Sequence, residues 1–191
     1  EAVALVERGF ALSRTGHPAE ALDAFSDARR LGVRSPEAAA AEGVIAATWA
    51  GCAPARRDVA LRRLTEALST SPDVVFDALV GESAAATIGL TQWRALLQPE
   101  AADEDGRSIA ALALCVLAKD AEGKEALRAL RGRFTARLAS GGIDPSRGLG
   151  YLALAAQALG EEAEFERLRA SYGSQARRPA SIDAVLGRMA K

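Results

Sequence analysis

Five helix-start signals recur along the chain at nearly constant intervals: Ser35 before Pro36, Ser71 before Pro72, Ser108, Asp144 before Pro145, and Ser181. Successive members lie 36, 37, 36 and 37 residues apart. A side-chain oxygen at such a position accepts a bond from the free N–H groups of a helix's first turn. A proline just after it has φ already set for helix and no N–H to leave unpaired. A period of this length predicts stacked repeats, each too small to bury its apolar face alone.

The residues between these signals favour helix. Of the 191 residues, 49% are apolar and only 5% aromatic, so the core is expected to be built from Ala, Leu and Val. Ala and Leu stand near the top of the helix-propensity scale, and small side chains let helices approach closely. Alternating β-branched runs bounded by Asn-Gly or Asp-Gly are absent from the sequence, which argues against strands.

In the first unit, two helical stretches flank a Thr15-Gly16-His17-Pro18 turn. Gly9 is the small residue of the first helix, Ala21 and Ala28 those of the second. Leu5, Leu12, Leu22 and Phe25 supply bulk at helical spacing. A second copy follows, with Gly43 in the first helix and Ala60-x3-Leu64-x2-Ala67 in the second. Between Gly43 and Ala60 the chain is five residues longer than between Gly9 and Ala21, and Cys52-Ala-Pro-Ala-Arg is expected to lengthen that turn. Later units are degenerate. Asp73 to about Leu97 allows two helices with a break at Gly81 or Gly89, and Pro99 to Gly106 reads as an acidic loop. The apolar stretch from Ser108 pairs with Glu122 to Leu138, where Arg133 stands at an expected small position. Pro145–Leu159 and Glu161–Tyr172 form the fifth pair, with Phe165 where Ala is expected. Ile182, Val185, Leu186 and Met189 share one face of a short final helix.

The small residue in helix A, the Gly turn and the signature Ala21-x3-Phe25-x2-Ala28 resemble the tetratricopeptide repeat. The likeness covers about 75 residues by motif and most of the chain by period, although ~36 residues exceeds the ~34 of that family. Leu5 and Leu12 replace the family's usual aromatics. The resemblance implies an all-α, right-handed solenoid of about five helix pairs over residues 1–180, closed by a capping helix at 181–191. It also implies a groove lined by first helices: Val3, Val6, Phe10, Ser13 and Arg14 from the first unit, and Glu37, Ala40, Val44, Ala47 and Thr48 from the second. Such a wall suits an amphipathic protein or peptide segment. One branch of the family grips acidic chaperone tails through basic groove residues. Here Val6 and Phe10 hold those positions, which argues against that clamp.

The expected function is therefore non-catalytic recognition of a protein or peptide, with no cofactor. Twenty-four basic against 25 acidic residues give a net charge of −1, with no global field toward nucleic acid or membrane. Basic residues are almost all Arg, a bias expected of a GC-rich bacterial genome, with Lys only at 119, 124 and 191. Two basic clusters remain, Arg56, Arg57, Arg62 and Arg63, and Lys124, Arg128, Arg131, Arg133 and Arg137. No aromatics are interleaved to stack bases, so these read as solvated helix faces. His17, the one histidine, and the separated Cys52 and Cys115 have no metal-ligand spacing, and isolated thiols point to a reducing cytoplasm. The longest apolar run, Ile109 to Ala118, is too short for the roughly 20 residues of a membrane span. Glu1 in place of an initiator Met leaves room for an upstream domain or cleaved leader. Two other readings stay open: a peptide- or ligand-sensing regulatory module of a larger bacterial signalling or transcription protein, and a helical-repeat nucleic-acid binder.

Overall fold

The computed structural model describes residues 1–80 and 90–189, with side chains as far as Gly187. All regular structure among these residues is helical. Gly81 and Gly89, the expected break points, lie outside the described residues. The chain divides into two compact units, Glu1–Ile88 and Gly89–Lys191.

The first unit holds α1 (Ala2–Arg14), α2 (Pro18–Arg30), α3 (Pro36–Thr48), α4 (Pro54–Thr70) and α5 (Pro72–Leu79). Four of these five begin on proline, at 18, 36, 54 and 72, an interval of 18 residues throughout. Each proline sits where its missing N–H costs nothing. The connections turn on specific residues. Gly16 takes φ +78°, and the His17 amide returns to the Leu12 carbonyl at 2.9 Å, so α1 reverses directly into α2. Gly32, at φ +87°, ends α2 while the Val33 amide reaches the Ala28 carbonyl at 3.1 Å. The Ala38 amide donates to the Ser35 hydroxyl at 3.1 Å and starts α3 as expected. Ser71 occupies the corresponding position before α5 but makes no side-chain cap bond. The extra residues before Ala60 do not all enter the turn. α3 ends at Thr48 and α4 begins at Pro54, so Pro54, Ala55 and Arg56 extend α4 to 17 residues against 13 in α2.

Packing in this unit follows the small-residue pattern. α1 lies on α2 and α3 on α4; α3 also touches α1 and α2, and α5 touches α3 and α4. A methyl group on Gly9 would stand 2.5 Å from the Phe25 ring, and one on Gly43 would stand 3.0 Å from Leu64 Cδ2. The two glycines thus face the two equivalent bulky residues of the paired second helices. Ala21, Phe25, Ala46, Ala60 and Leu64 are buried in this core.

The second unit holds α6 (residues 90–95), α7 (Glu104–Ala118), α8 (Ala121–Ala139), α9 (Pro145–Leu159), α10 (Glu162–Gly173) and α11 (Ala180–Met189). Here one expectation fails. Ser108 does not begin a helix: it lies within α7, fully buried, its hydroxyl donating to the Glu104 carbonyl at 2.7 Å. The cap is Asp103, which accepts from the Gly106 amide at 2.8 Å. An acidic side chain with free rotation ahead of Glu104 and Asp105 suits the positive end of the helix better than a serine with apolar neighbours. Asp120 likewise caps α8 through the Gly123 amide at 3.0 Å, and Asp144 caps α9 through the Ser146 and Arg147 amides. Ser181 falls inside α11, which begins one residue earlier.

α7 packs on α8 and α9, and α9 also meets α8, α10 and α11. The two central helices are buried on several sides. Ile109–Cys115 of α7 and Tyr151–Ala156 of α9 are covered throughout, which is why their apolar runs show no polar stripe. Gly123 admits Leu114, and Gly150 admits Tyr172 of α10 and Ile182 of α11. Ile182, Val185 and Leu186 are buried, as the shared face of the last helix predicts. Arg133, at an expected small position, points away to Asp105 at 3.0 Å and Glu104 at 3.2 Å.

Candidate functional site

The groove residues expected from sequence separate into three kinds. Val6 and Phe10 pack against the core cluster that includes Leu22, Phe25 and Ile45, with the Phe10 ring edge-on to Phe25 at 5.3 Å. Ala40 is fully buried and offers a partner no surface, because α3 is covered on several sides by its neighbours. These three serve packing. What remains accessible is Val3, two-thirds exposed, with Arg14 on α1, and Glu37 and Thr48 on α3. Ser13, Val44 and Ala47 are half-buried. Thr48 donates back to the Val44 carbonyl at 2.9 Å, and Glu37 accepts from the Ser35 hydroxyl at 2.7 Å. Since α1 and α3 are in contact, the exposed positions belong to adjoining helices of one unit.

A second feature lies where α2, α3 and α4 meet. Glu42 of α3 is only 3% exposed, and its carboxylate is shared between two guanidinium groups: Arg29 of α2 at 3.4 Å and Arg63 of α4. Arg29 also donates to Ser26 at 3.1 Å. A buried carboxylate needs such partners, since desolvation of an unpaired charge costs several kcal/mol. Beside this clamp opens a cleft of about 730 Å³, lined on its charged side by Arg29, Arg34, Arg62, Arg63 and Glu66. A smaller cavity of about 210 Å³ adjoins Glu42, between Leu22 and Ala60. Sequence reading singled out Arg62 and Arg63 as part of a charge cluster but missed Arg29, Arg34 and Glu42. The signal that could have found Glu42 and Arg29 is a Glu in the middle of the apolar α3 stretch, beyond its first turn, with arginines on both flanking helices.

The two basic clusters differ in how they are neutralised. On α8, Arg128 meets Glu125, Arg131 meets Glu161, Arg133 meets Glu104 and Asp105, and Arg137 meets Asp105. That stripe is laced to carboxylates, which weakens its hold on phosphate. In the first unit, Arg56 pairs with Asp23 and Arg57 donates to the Ala46 carbonyl at 2.9 Å, whereas Arg34 and Arg62 have no partner among the described residues.

Asp120 is held below the usual carboxylate range, first by Arg94 and then by the Gly123 amide; Asp144 is lowered by the Ser146 hydroxyl and the Arg147 amide. Both shifts belong to helix caps. Burial pushes the Cys115 thiol up to about 11, against a smaller opposing pull from Lys124. At pH 8 the thiol is then almost entirely protonated. Native protein treated with iodoacetamide at that pH should leave Cys115 unmodified by mass spectrometry while urea-unfolded protein is labelled rapidly. Equal labelling of both states would contradict the burial of this thiol.

No cluster of three or more His, Cys, Asp or Glu side chains that could hold a metal occurs among the described residues, and no helix among them is long and apolar enough to cross a membrane. No family model, curated protein or solved structure matches the chain.

Proposed function

We propose that this chain is a non-catalytic recognition module, a divergent tetratricopeptide-like right-handed solenoid that binds a protein or peptide segment along its first helices. The observation that carries the reading is the repeated seating of a first-helix glycine on a second-helix bulky residue, Gly9 on Phe25 and Gly43 on Leu64. Contacts between successive first helices, α1 with α3 and α3 with α5, support it. Exposed positions remain on the first helices α1 and α3 of the pairs held this way. Val3 contributes an apolar anchor there, Arg14 and Glu37 opposite charges. A partner's affinity would come from burying apolar side chains at about 25 cal/mol per Å², less the cost of ordering the segment.

The test is capture from lysate on immobilised chain, repeated with a Val3→Glu, Arg14→Glu variant of unchanged helicity, and then titration of the captured partner in purified form. Both positions are exposed, so the fold should persist. The variant should weaken the purified partner by about tenfold or more. Equal affinity would remove the α1 surface from the reading. A ligand-sensing regulatory role is the second reading, favoured by the cleft between α2, α3 and α4.

A further inference from the structure

We infer that the cleft between α2, α3 and α4 is a binding site for an organic phosphate carrying at least two negative charges. The inference rests on this cleft alone and is independent of recognition along the first helices. Its volume, about 730 Å³, falls in the range of sites that take small molecules. Its charge is one-sided: Arg29, Arg34, Arg62 and Arg63 stand against a single carboxylate in the wall, Glu66. Glu42 beneath them already draws on Arg29 and Arg63, yet the balance stays positive.

The arginines divide the work. Arg29 and Arg63 are fixed in place by Glu42, and Arg63 is largely buried, so its guanidinium is held before any ligand arrives. Arg34 and Arg62 are exposed and make no bond to a described residue, leaving their N–H groups available. Guanidinium forks match the geometry of phosphoryl oxygens and stay charged at every working pH. A monoanion would leave this surplus unmatched, whereas a di- or trianion meets it. The remaining walls suit the rest of such a molecule: Val33, Val59, Ala39 and Ala67 present apolar surface.

The experiment is isothermal titration of the full chain with pyrophosphate and with ADP at low ionic strength. It compares wild type with Arg34→Glu, Arg62→Glu and with Arg8→Glu, Arg177→Glu, a control with the same change in charge at exposed positions elsewhere. Wild type should bind both probes, ADP more tightly for its larger body. The cleft variant should lose about tenfold or more, and the control about twofold or less. Equal loss in the two variants would reduce the effect to general electrostatics and overturn the site. Absence of binding to wild type at millimolar probe overturns it as well. An acidic peptide that binds more tightly than either probe, with the same variant dependence, would replace the phosphate ligand by a protein one.

Discussion

Arg63→Met should destabilise the first unit more than Glu42→Met, although the two substitutions break the same ion pair. The asymmetry follows from where each charge would be left. Without Arg63, the Glu42 carboxylate stays 3% exposed with Arg29 at 3.4 Å as its remaining cation. Leaving a buried charge short of a partner costs about 3–5 kcal/mol, reduced here to about 2–4 because Arg29 still answers half of it. Without Glu42, the orphans are two long side chains whose guanidiniums can swing to water: Arg29 is 35% exposed and Arg63 14%. That loss should be about 1–2 kcal/mol. The double substitution should recover most of the Arg63→Met loss, because it leaves no buried carboxylate behind and only the partly exposed Arg29 without its acid, still bonded to Ser26. Urea denaturation with an unchanged slope would measure all three. If Glu42→Met proves the more damaging, the clamp owes its stability to holding the arginines and not to covering the acid.

Helix class, much of the pairing and the small-residue positions were legible because they depend on local chemistry. Gly9, Gly43, Ala21 and Ala60 are small where a neighbouring helix comes close, and contact at that spacing follows from helical geometry. The regular beat was present in finer form than the sequence reading used: prolines at 18, 36, 54 and 72 mark every helix start from α2 to α5. Ser108 misled because serine also serves inside helices, where it returns its hydroxyl to the carbonyl four residues back, as it does to Glu104. The candidate surface was less legible. Phe10 and Ala40 are placed by the helical wheel on an outward face, but whether another helix covers that face depends on pairing between distant segments. Arg29, Glu42 and Arg63 lie far apart in the chain and meet only through the packing of three helices. Charge counts could not show that the α8 stripe is neutralised by α7 and the residue before α10 while Arg34 and Arg62 have no partner among the described residues.

Gly9→Ala should lower stability even though alanine is the better helix former. In an exposed helix the change would contribute about 1 kcal/mol of stabilisation. At Gly9 the new methyl would sit 2.5–2.8 Å from three atoms of the Phe25 ring. That ring is 1% exposed and has Phe10 edge-on against it, so it cannot pivot away without disturbing a second aromatic. Overpacking of this kind costs about 1–3 kcal/mol, and larger side chains at Gly9 should cost more. Gly43→Ala is expected to be milder, since the nearest atom there is Leu64 Cδ2 at 3.0 Å, the far end of a side chain that can rotate. The decisive variant is the pair Gly9→Ala, Phe25→Leu. Phe25→Leu alone removes ring volume from a filled core and should destabilise, yet in the Gly9→Ala background it makes room for the methyl, so the double variant should be more stable than the two losses added. Additive losses would mean that α1 and α2 shift apart to admit the methyl, and Gly9 would then not determine how closely the first helix pair approaches.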